Sequence, residues 1–306
     1  MITVLLAAYN GEAYIRQQLD SILDQTYKEL TIVISDDHSS DRTPEILKEY
    51  EQTYPDRITC MLNETASGSP QNNFFRLLRQ ARGEYVMLCD QDDLWLPDKA
   101  EVTLKEMKRL EKQWGRDVPL LVHGDLSVTD QDGRIRHKSM ARYQKIAVLD
   151  NRFSHYLVEN NITGNTVMIN QGFYPYLTYI PQTCMMHDWW LGLLASCFGK
   201  ISYIDRPLLL YRQHESNQVG SKGGMRQYAE RLTHKHQVRE QYRKLFLQAE
   251  LFLDRFGTDM TGEQRETLEQ FIKLQEMDRI KKIYTIWKYK FYKSTLIRTF
   301  GQMLSI

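Results

Sequence analysis

Two short apolar runs near the start of the chain, Ile2 to Ala8 and Leu30 to Asp36, are nearly continuous and rich in β-branched residues. Such runs suit parallel strands covered on both faces, because a strand with one wet face alternates instead. Between them Ala13, Ile15, Leu19, Ile22 and Leu23 fall at helical spacing, with Gly11 at the approach. After the second run, Ser39-Ser40-Asp41 supplies N-cap chemistry and Pro44 sits where a first helical turn tolerates it, with Ile46, Leu47 and Tyr50 on the inward face. Arg57 to Asn63 reads as a third strand, Asn72 to Arg82 as a helix closed by Gly83, and Glu84 to Cys89 as a fourth strand. The alternation β-α-β-α-β-α-β predicts a doubly wound sheet, and such sheets gather ligands at the carboxyl ends of their strands.

Further on the pattern is mixed. It predicts a charged helix from Pro97 to Trp114, strands at Leu120 to His123 and Asn165 to Ile169, a helix from about Asp188, and a last short strand at Pro207 to Tyr211. Beyond about Met225 the sequence is helical and charged without a strand signal, so a boundary is placed there. The 306 residues, 42% of them hydrophobic, can bury a full core as one large domain or as a domain with an appendage. The balance of 40 Lys+Arg against 39 Asp+Glu gives no electrostatic reason to expect a nucleic-acid partner. Cys60, Cys89, Cys184 and Cys197 have no C-x-x-C spacing, so neither a zinc knuckle nor a disulfide framework is expected, and a reducing cytosolic setting is. The N-terminal run lacks a basic flank and reads as a buried strand rather than a signal peptide, and no apolar stretch approaches the roughly 18 residues of a spanning helix.

The chemistry sits at strand ends. Asp90-Gln91-Asp92-Asp93 directly follows the fourth run. A hard cation, Mg²⁺ or Mn²⁺, would neutralise these carboxylates and bridge them to diphosphate oxygens; the bland alternative is a turn whose aspartates cap the next helix. Asp36-Asp37 follows the second run in the same way and could accept hydrogen bonds from a base or ribose, or merely cap the helix at Thr43, a task Ser40 or Asp41 can perform alone. Neither G-x-G-x-x-G nor G-x-x-x-x-G-K-[ST] occurs at the first turn, so phosphate charge must be met mainly by metal.

Ala8-Tyr9-Asn10, Ile34-Ser35-Asp36-Asp37-His38-Ser39-Ser40-Asp41 and Asp90-Gln91-Asp92-Asp93 resemble, in order and spacing, the motifs of family 2 glycosyltransferases, over roughly residues 1 to 220. The resemblance implies a GT-A fold: α/β, Rossmann-like, a mostly parallel central sheet flanked by helices, here with a helical C-terminal extension. It divides the chain into a catalytic domain at 1–224, with a nucleotide-sugar half at about 1–96 and an acceptor half at about 97–224, and an extension at 225–306. It implies an inverting enzyme in which the Ala7 backbone, Tyr9 and Asp37 contact the nucleoside, Asp90 faces the ribose or sugar, and Asp92 holds the metal. His187-Asp188-Trp189-Trp190 looks like the family's acidic motif at a helix N-terminus, with Asp188 as general base; an ordinary helix cap is the alternative. Trp189 and Trp190 could wall a sugar ring or belong to the core. In Tyr211-Arg212-Gln213-His214, His214 resembles the histidine that completes metal coordination and Arg212 could meet phosphate; Gly164-Asn165 resembles the acceptor loop, or is a simple turn.

Asp90-Gln91-Asp92-Asp93-Leu94-Trp95 together with His187-Asp188-Trp189-Trp190 looks most like the rhamnosyltransferases of bacterial cell-surface polysaccharide assembly. That implies dTDP-L-rhamnose as donor, with UDP-glucose or UDP-galactose as the alternative, and a glycan hydroxyl as acceptor. The segment 279–300 carries Arg279, Lys281, Lys282, Lys288, Lys290, Lys293 and Arg298 among aromatic and aliphatic residues and no acid. It would either lie on an anionic membrane at the inner face of the plasma membrane, near a lipid-linked acceptor, or pack on the core. From another class, a non-catalytic sugar- or nucleotide-binding subunit of an assembly complex would be expected to lack Asp92 or Asp188; both are present. A sugar-phosphate nucleotidyltransferase would need a glycine- and arginine-rich loop where Tyr9-Asn10-Gly11-Glu12 stands.

Overall fold

The apolar runs form the strands of one sheet. The computed structural model describes residues 1–179, 181, 183–213 and 235–305. Its strands are β1 (Ile2–Ala8), β2 (Leu30–Asp36), β3 (Ile58–Leu62), β4 (Tyr85–Asp90), β5 (Leu94–Trp95), β6 (Leu120–Thr129), β7 (Ile135–His137), β8 (Met168–Asn170) and β9 (Lys200–Arg212). The longer helices are α1 (Ile15–Leu23), α2 (Thr43–Thr53), α3 (Pro70–Arg79), α4 (Lys99–Trp114), α5 (His187–Phe198), α6 (Lys235–Phe256), α7 (Gly262–Lys273), α8 (Arg279–Lys288) and α9 (Leu296–Ser305). The described residues fall into two compact units: one within Met1–Met140, Thr163–Ile180 and Lys200–Gly220, the other within Ala141–Ile162, Pro181–Gly199 and Ser221–Ile306. Packing therefore divides the chain differently from a cut at residue 224, since α5 and the stretch 141–162 group with the C-terminal helices.

The first unit holds the whole sheet, in the order β3-β2-β1-β4-β8-β6-β9-β5, with β7 paired to β6. β1 pairs parallel with β2 and β4, and β2 with β3, as continuous apolar runs require. Beyond β4 the sheet is mixed: β8 runs antiparallel to β4 and β6, β5 antiparallel to β9, and β6 parallel to β9. Every residue of β1 is buried, and Ile15, Leu19 and Ile22 of α1 with Ile46 and Leu47 of α2 complete the core on that side. α3 starts two residues before the predicted position because Ser69 caps it, accepting from the Asn72 N–H at 3.2 Å, and Pro70 fills the first turn. The predicted strand at Asn165 to Ile169 is a 3-10 turn over Gly164–Thr166 followed by β8. β9 begins seven residues earlier than Pro207, because Lys200, Asp205 and Arg206 interrupt its apolar pattern while the backbone still pairs with β6.

The second unit is helical around aromatic rings. Trp190 meets Phe252 edge-on at 5.3 Å, Phe252 lies 5.1 Å from Phe256, and Phe246 and Phe291 lie 5.1 and 5.3 Å from Phe271. These contacts suit the offset and edge geometries that aromatic quadrupoles favour. α7 starts in a capping box: Thr261 Oγ1 accepts from the Gln264 N–H and Gln264 Oε1 from the Thr261 N–H.

Candidate functional site

The register of the parallel strands puts Ala7 beside Asp90 and Ala8 beside Asp36, so the loops after β1, β2 and β4 open side by side at one end of the sheet. They are laced together. Gln91 reaches back to the backbone of Tyr9, its Oε1 accepting from the Tyr9 N–H at 2.8 Å and its Nε2 donating to the Tyr9 carbonyl at 2.9 Å. A Cβ at Gly11 would lie 2.3 Å from Gln91 Oε1, so only glycine leaves that clamp its room. Asn10 takes a positive φ of 48°; its N–H donates to Ser39 Oγ and its Oδ1 accepts from the Ser40 N–H, both at 2.8 Å. Glu12 and Gly11 donate their N–H groups to Asp41 and Thr43. The outcome is an ordered rim with the Tyr9 ring left 53% exposed.

The carboxylates on that rim differ in use. Asp36 is buried and accepts from the Ser39 N–H at 3.0 Å and from its hydroxyl. Asp37 accepts from the Ser67 N–H and hydroxyl, each at 2.7 Å, and from Arg76 at 3.3 Å. Asp41 caps the start of α2 by accepting from the Thr43 N–H at 2.9 Å, so the two earlier aspartates are not needed for capping. Asp37 has more lone pairs than these partners fill and can accept a further N–H.

In the acidic turn Asp90 and Asp92 are half-buried and Asp93 is buried. Burial pushes the Asp93 carboxyl well above the usual carboxylate range, and the charges of Asp92 and Asp90 push it further. Asp93 accepts from the Asn165 side-chain amide and, at 3.4 Å, from the Arg212 N–H. Lys99, fully buried at the start of α4, donates to the Asn165 carbonyl at 2.6 Å and lies 3.4 Å from the centre of the Trp95 ring. Burial brings its ammonium down to about 7, partly offset by Cys89, Asp93 and Asp90. Three aspartates in a row of four are a donor set suited to a hard cation held by one or two carboxylates and substrate phosphates. Among the described residues no cage of three or more His, Cys, Asp or Glu side chains forms. His214 lies outside the described residues.

Two side chains expected at the site are engaged by other residues of this unit. Asn165 is buried, its side-chain amide donating to Asp93 and its carbonyl accepting from Lys99. Gly164 is buried in the same 3-10 turn. The Arg212 guanidinium stacks 4.6 Å from the centre of the Tyr14 ring and donates to Gln17 at 2.6 Å, fastening the start of α1 to the end of β9.

In the second unit Asp188 stands in the first turn of α5, 8% exposed, and its Oδ1 accepts from the Trp189 N–H at 2.7 Å. The helix N-terminus favours the ionised carboxylate there. Burial takes the neighbouring His187 down to about 3, which keeps its ring neutral. Trp189 is half-buried and its indole N–H donates to the Tyr156 carbonyl at 2.6 Å. Trp190 is 1% exposed against Phe252 and Phe256, the core alternative of the two readings open for it.

Residues 3–188 match the family described as Glycosyl transferase family 2. The chain belongs to that family. The match takes in the rim, the acidic turn and Asp188, and ends before Arg212. The chain is 30% identical over 224 residues to a dTDP-rhamnosyl transferase, RfbG, of Shigella flexneri, covering 71% of this chain and 74% of that one. Its fold is similar to that of S. aureus TarS residues 1–349 in complex with UDP-GlcNAc (TM-score 0.57, 20% identity, 94% of this chain and 72% of that one). It is also similar to a mannosyltransferase from Pyrobaculum calidifontis in complex with GDP-Man and Mn²⁺ (TM-score 0.51, 17% identity, 99% and 86%). The fold is GT-A, and the chain is a glycosyltransferase.

For a family 2 member, the motif residues are where the sequence reading expected them, but their supports were not foreseen. Gln91 and Gly11 act as a pair across two loops, a contact no local pattern announces. Lys99 drew no notice in the sequence and Asp93 was read only as one of the acidic cluster; a lysine four residues past Trp95 was the available signal.

Proposed function

We propose that this glycosyltransferase moves L-rhamnose from dTDP-L-rhamnose to a hydroxyl of a growing cell-surface glycan, with inversion at the anomeric carbon. The observation that carries the reading is the acidic turn at the end of β4, set by register beside Ala7 and near Asp36 and Asp37 and clamped to Tyr9 through Gln91. The dTDP-rhamnosyl transferase relative supports the donor. In this reading the Ala7 backbone, the exposed Tyr9 ring and Asp37 hold the nucleoside, and Asp90 faces the ribose or sugar. Asp92 would hold Mg²⁺ or Mn²⁺, with His214 completing the set, and a cation held there would supply charge neutralisation for a nucleotide diphosphate leaving group.

Asp188 takes the proton of the acceptor hydroxyl while that oxygen bonds to the anomeric carbon and the carbon–oxygen bond to the nucleotide diphosphate breaks. The acidic side chain in the first turn of a helix supports this role, because negative charge is favoured at a helix N-terminus. Trp189, whose ring is not fully buried, is the remaining candidate for the acceptor wall, with the backbone at Gly164. The setting is the cytoplasm, at the inner face of the plasma membrane, with a lipid-linked glycan as acceptor.

The test is thermal melting with dTDP-rhamnose, UDP-glucose and UDP-galactose, each with Mg²⁺ or Mn²⁺ and with a chelator. A ligand at about 100 times its dissociation constant stabilises by roughly 2.7 kcal/mol, an upward shift easily read. A metal-dependent shift with dTDP-rhamnose alone is the expected result. Shifts with the UDP-hexoses instead would replace the donor, and silence with every nucleotide would favour a non-catalytic subunit.

A further inference from the structure

The last two helices present apolar side chains outward. On α8, Ile280, Ile283, Tyr284 and Trp287 follow the i, i+3, i+4, i+7 spacing of one helix face, and that face is the exposed one, with Trp287 67% exposed. The opposite side is anchored by buried Thr285 and Ile286. α9 is inverted outright: Leu296, Ile297, Phe300 and Leu304 are exposed, the last two by 62% and 69%, while the residues it buries are Thr299 and Gln302. Gln302 Nε2 donates to the Phe291 carbonyl and Arg298 to Glu159 and the Gln144 carbonyl, so polar bonds fix α9 with its greasy side out. A helix meant only for water buries its apolar stripe; these two do the reverse.

Charge says what covers them. Residues 279–306 carry seven cations and no acid. At about 100° per residue, Lys281 and Lys288 edge the α8 stripe on one side and Arg279 on the other. Among the described residues no helix is long and apolar enough to cross a membrane. An exposed aromatic and aliphatic stripe bordered by lysines is the composition of a helix lying in the interface of an anionic bilayer.

We propose that α8 and α9 form a docking surface for an anionic lipid bilayer, with Trp287, Phe300 and Leu304 entering the headgroup layer and the flanking lysines meeting lipid phosphates. Under the reading above this would hold the enzyme where a lipid-linked acceptor lies, but its test does not use turnover. The whole chain is sedimented with vesicles of phosphatidylglycerol and phosphatidylcholine, and with vesicles of phosphatidylcholine alone. Binding is expected to the anionic vesicles and to weaken as salt shortens the Debye length from about 10 Å to about 3 Å. Trp287→Ser/Phe300→Ser/Leu304→Ser and, separately, Lys281→Glu/Lys288→Glu should each lower partitioning by about tenfold or more, since one surface cation alone is worth about fivefold. Because the altered side chains are exposed, the melting temperature and the nucleotide-induced shift should persist, which separates this proposal from the donor reading. Tryptophan emission should move to the blue on vesicle addition in the parent and less so in Trp287→Phe. Absence of binding by the parent, equal binding to uncharged vesicles, or retention by the triple variant would each overturn it. So would a dimer that the triple variant dissolves while neither protein binds vesicles, which would make the surface an interface between copies.

Discussion

Single side chains at the rim carry roles that can be separated by what each should change. Asp188→Asn keeps the size and the oxygen that accepts from the Trp189 N–H but cannot take a proton, so turnover should fall by about 10²–10⁴-fold while the donor-induced thermal shift survives. A lost donor shift with the same variant would make Asp188 structural. Gln91→Ala acts differently, because it removes two hydrogen bonds to the Tyr9 backbone. At about 1 kcal/mol net for each bond, the nucleotide affinity measured by calorimetry should drop about tenfold or more, and an unchanged affinity would mean that the Tyr9 loop plays no part in donor binding. The placement of Asp36, Asp37, Asp90, Asp92 and Asp188 at strand ends and a helix start was legible because acids there are visible as pattern breaks. Asp93, Lys99 and the Gln91–Gly11 pair were not, since their meaning depends on burial and on contacts across some seventy to eighty positions. For Trp190 the sequence left core and sugar wall both open, and the contacts with the Phe252 and Phe256 rings place it in the interior.

Among whole elements, the parallel half of the sheet was readable because a strand covered on both faces has a continuous apolar sequence, and β1, β2 and β4 have it. β9 was read as five residues instead of 13 because exposed Asp205 and Arg206 break the pattern although the backbone pairing runs on. The 3-10 turn at Gly164–Thr166 was taken for strand because tertiary bonds from Asp93 and Lys99, not local preference, shape it. The short segment after β8 offers an element-scale test. A Cβ on Gly172 would stand 2.4 Å from the Val118 carbonyl oxygen, and backbone on the approach to β6 cannot yield cheaply. Gly172→Ala should therefore cost about 1–3 kcal/mol, read as a lowered denaturant midpoint, whereas Gly133→Ala, which meets nothing within 4 Å, is strained only by its φ of 79° and should cost less. Equal losses at the two positions would show that the contact with Val118 is slack.

At the scale of the molecule, each unit encloses a histidine that burial holds neutral, and each contributes to acid sensitivity. His123 on β6 and His187 at the start of α5 are both brought down to about 3 by burial, while an unfolded chain titrates its histidines near the ordinary 6.5. Above about pH 6.5 both states are deprotonated at these positions and stability does not depend on them. Between about 6.5 and 3 the unfolded chain binds protons that the folded one refuses, so stability falls as pH falls, by up to about 1.4 kcal/mol per pH unit for each histidine. Midpoints of urea unfolding, followed from about pH 7.5 to about pH 4.5, should therefore decline, and His123→Gln should flatten the decline for the sheet unit because glutamine takes no proton. If the units unfold in separate steps, the flattening should be confined to one of them, with His187→Gln acting on the other. A slope that neither substitution alters would place the acid sensitivity in other groups and would mean that burial does not hold these two rings neutral.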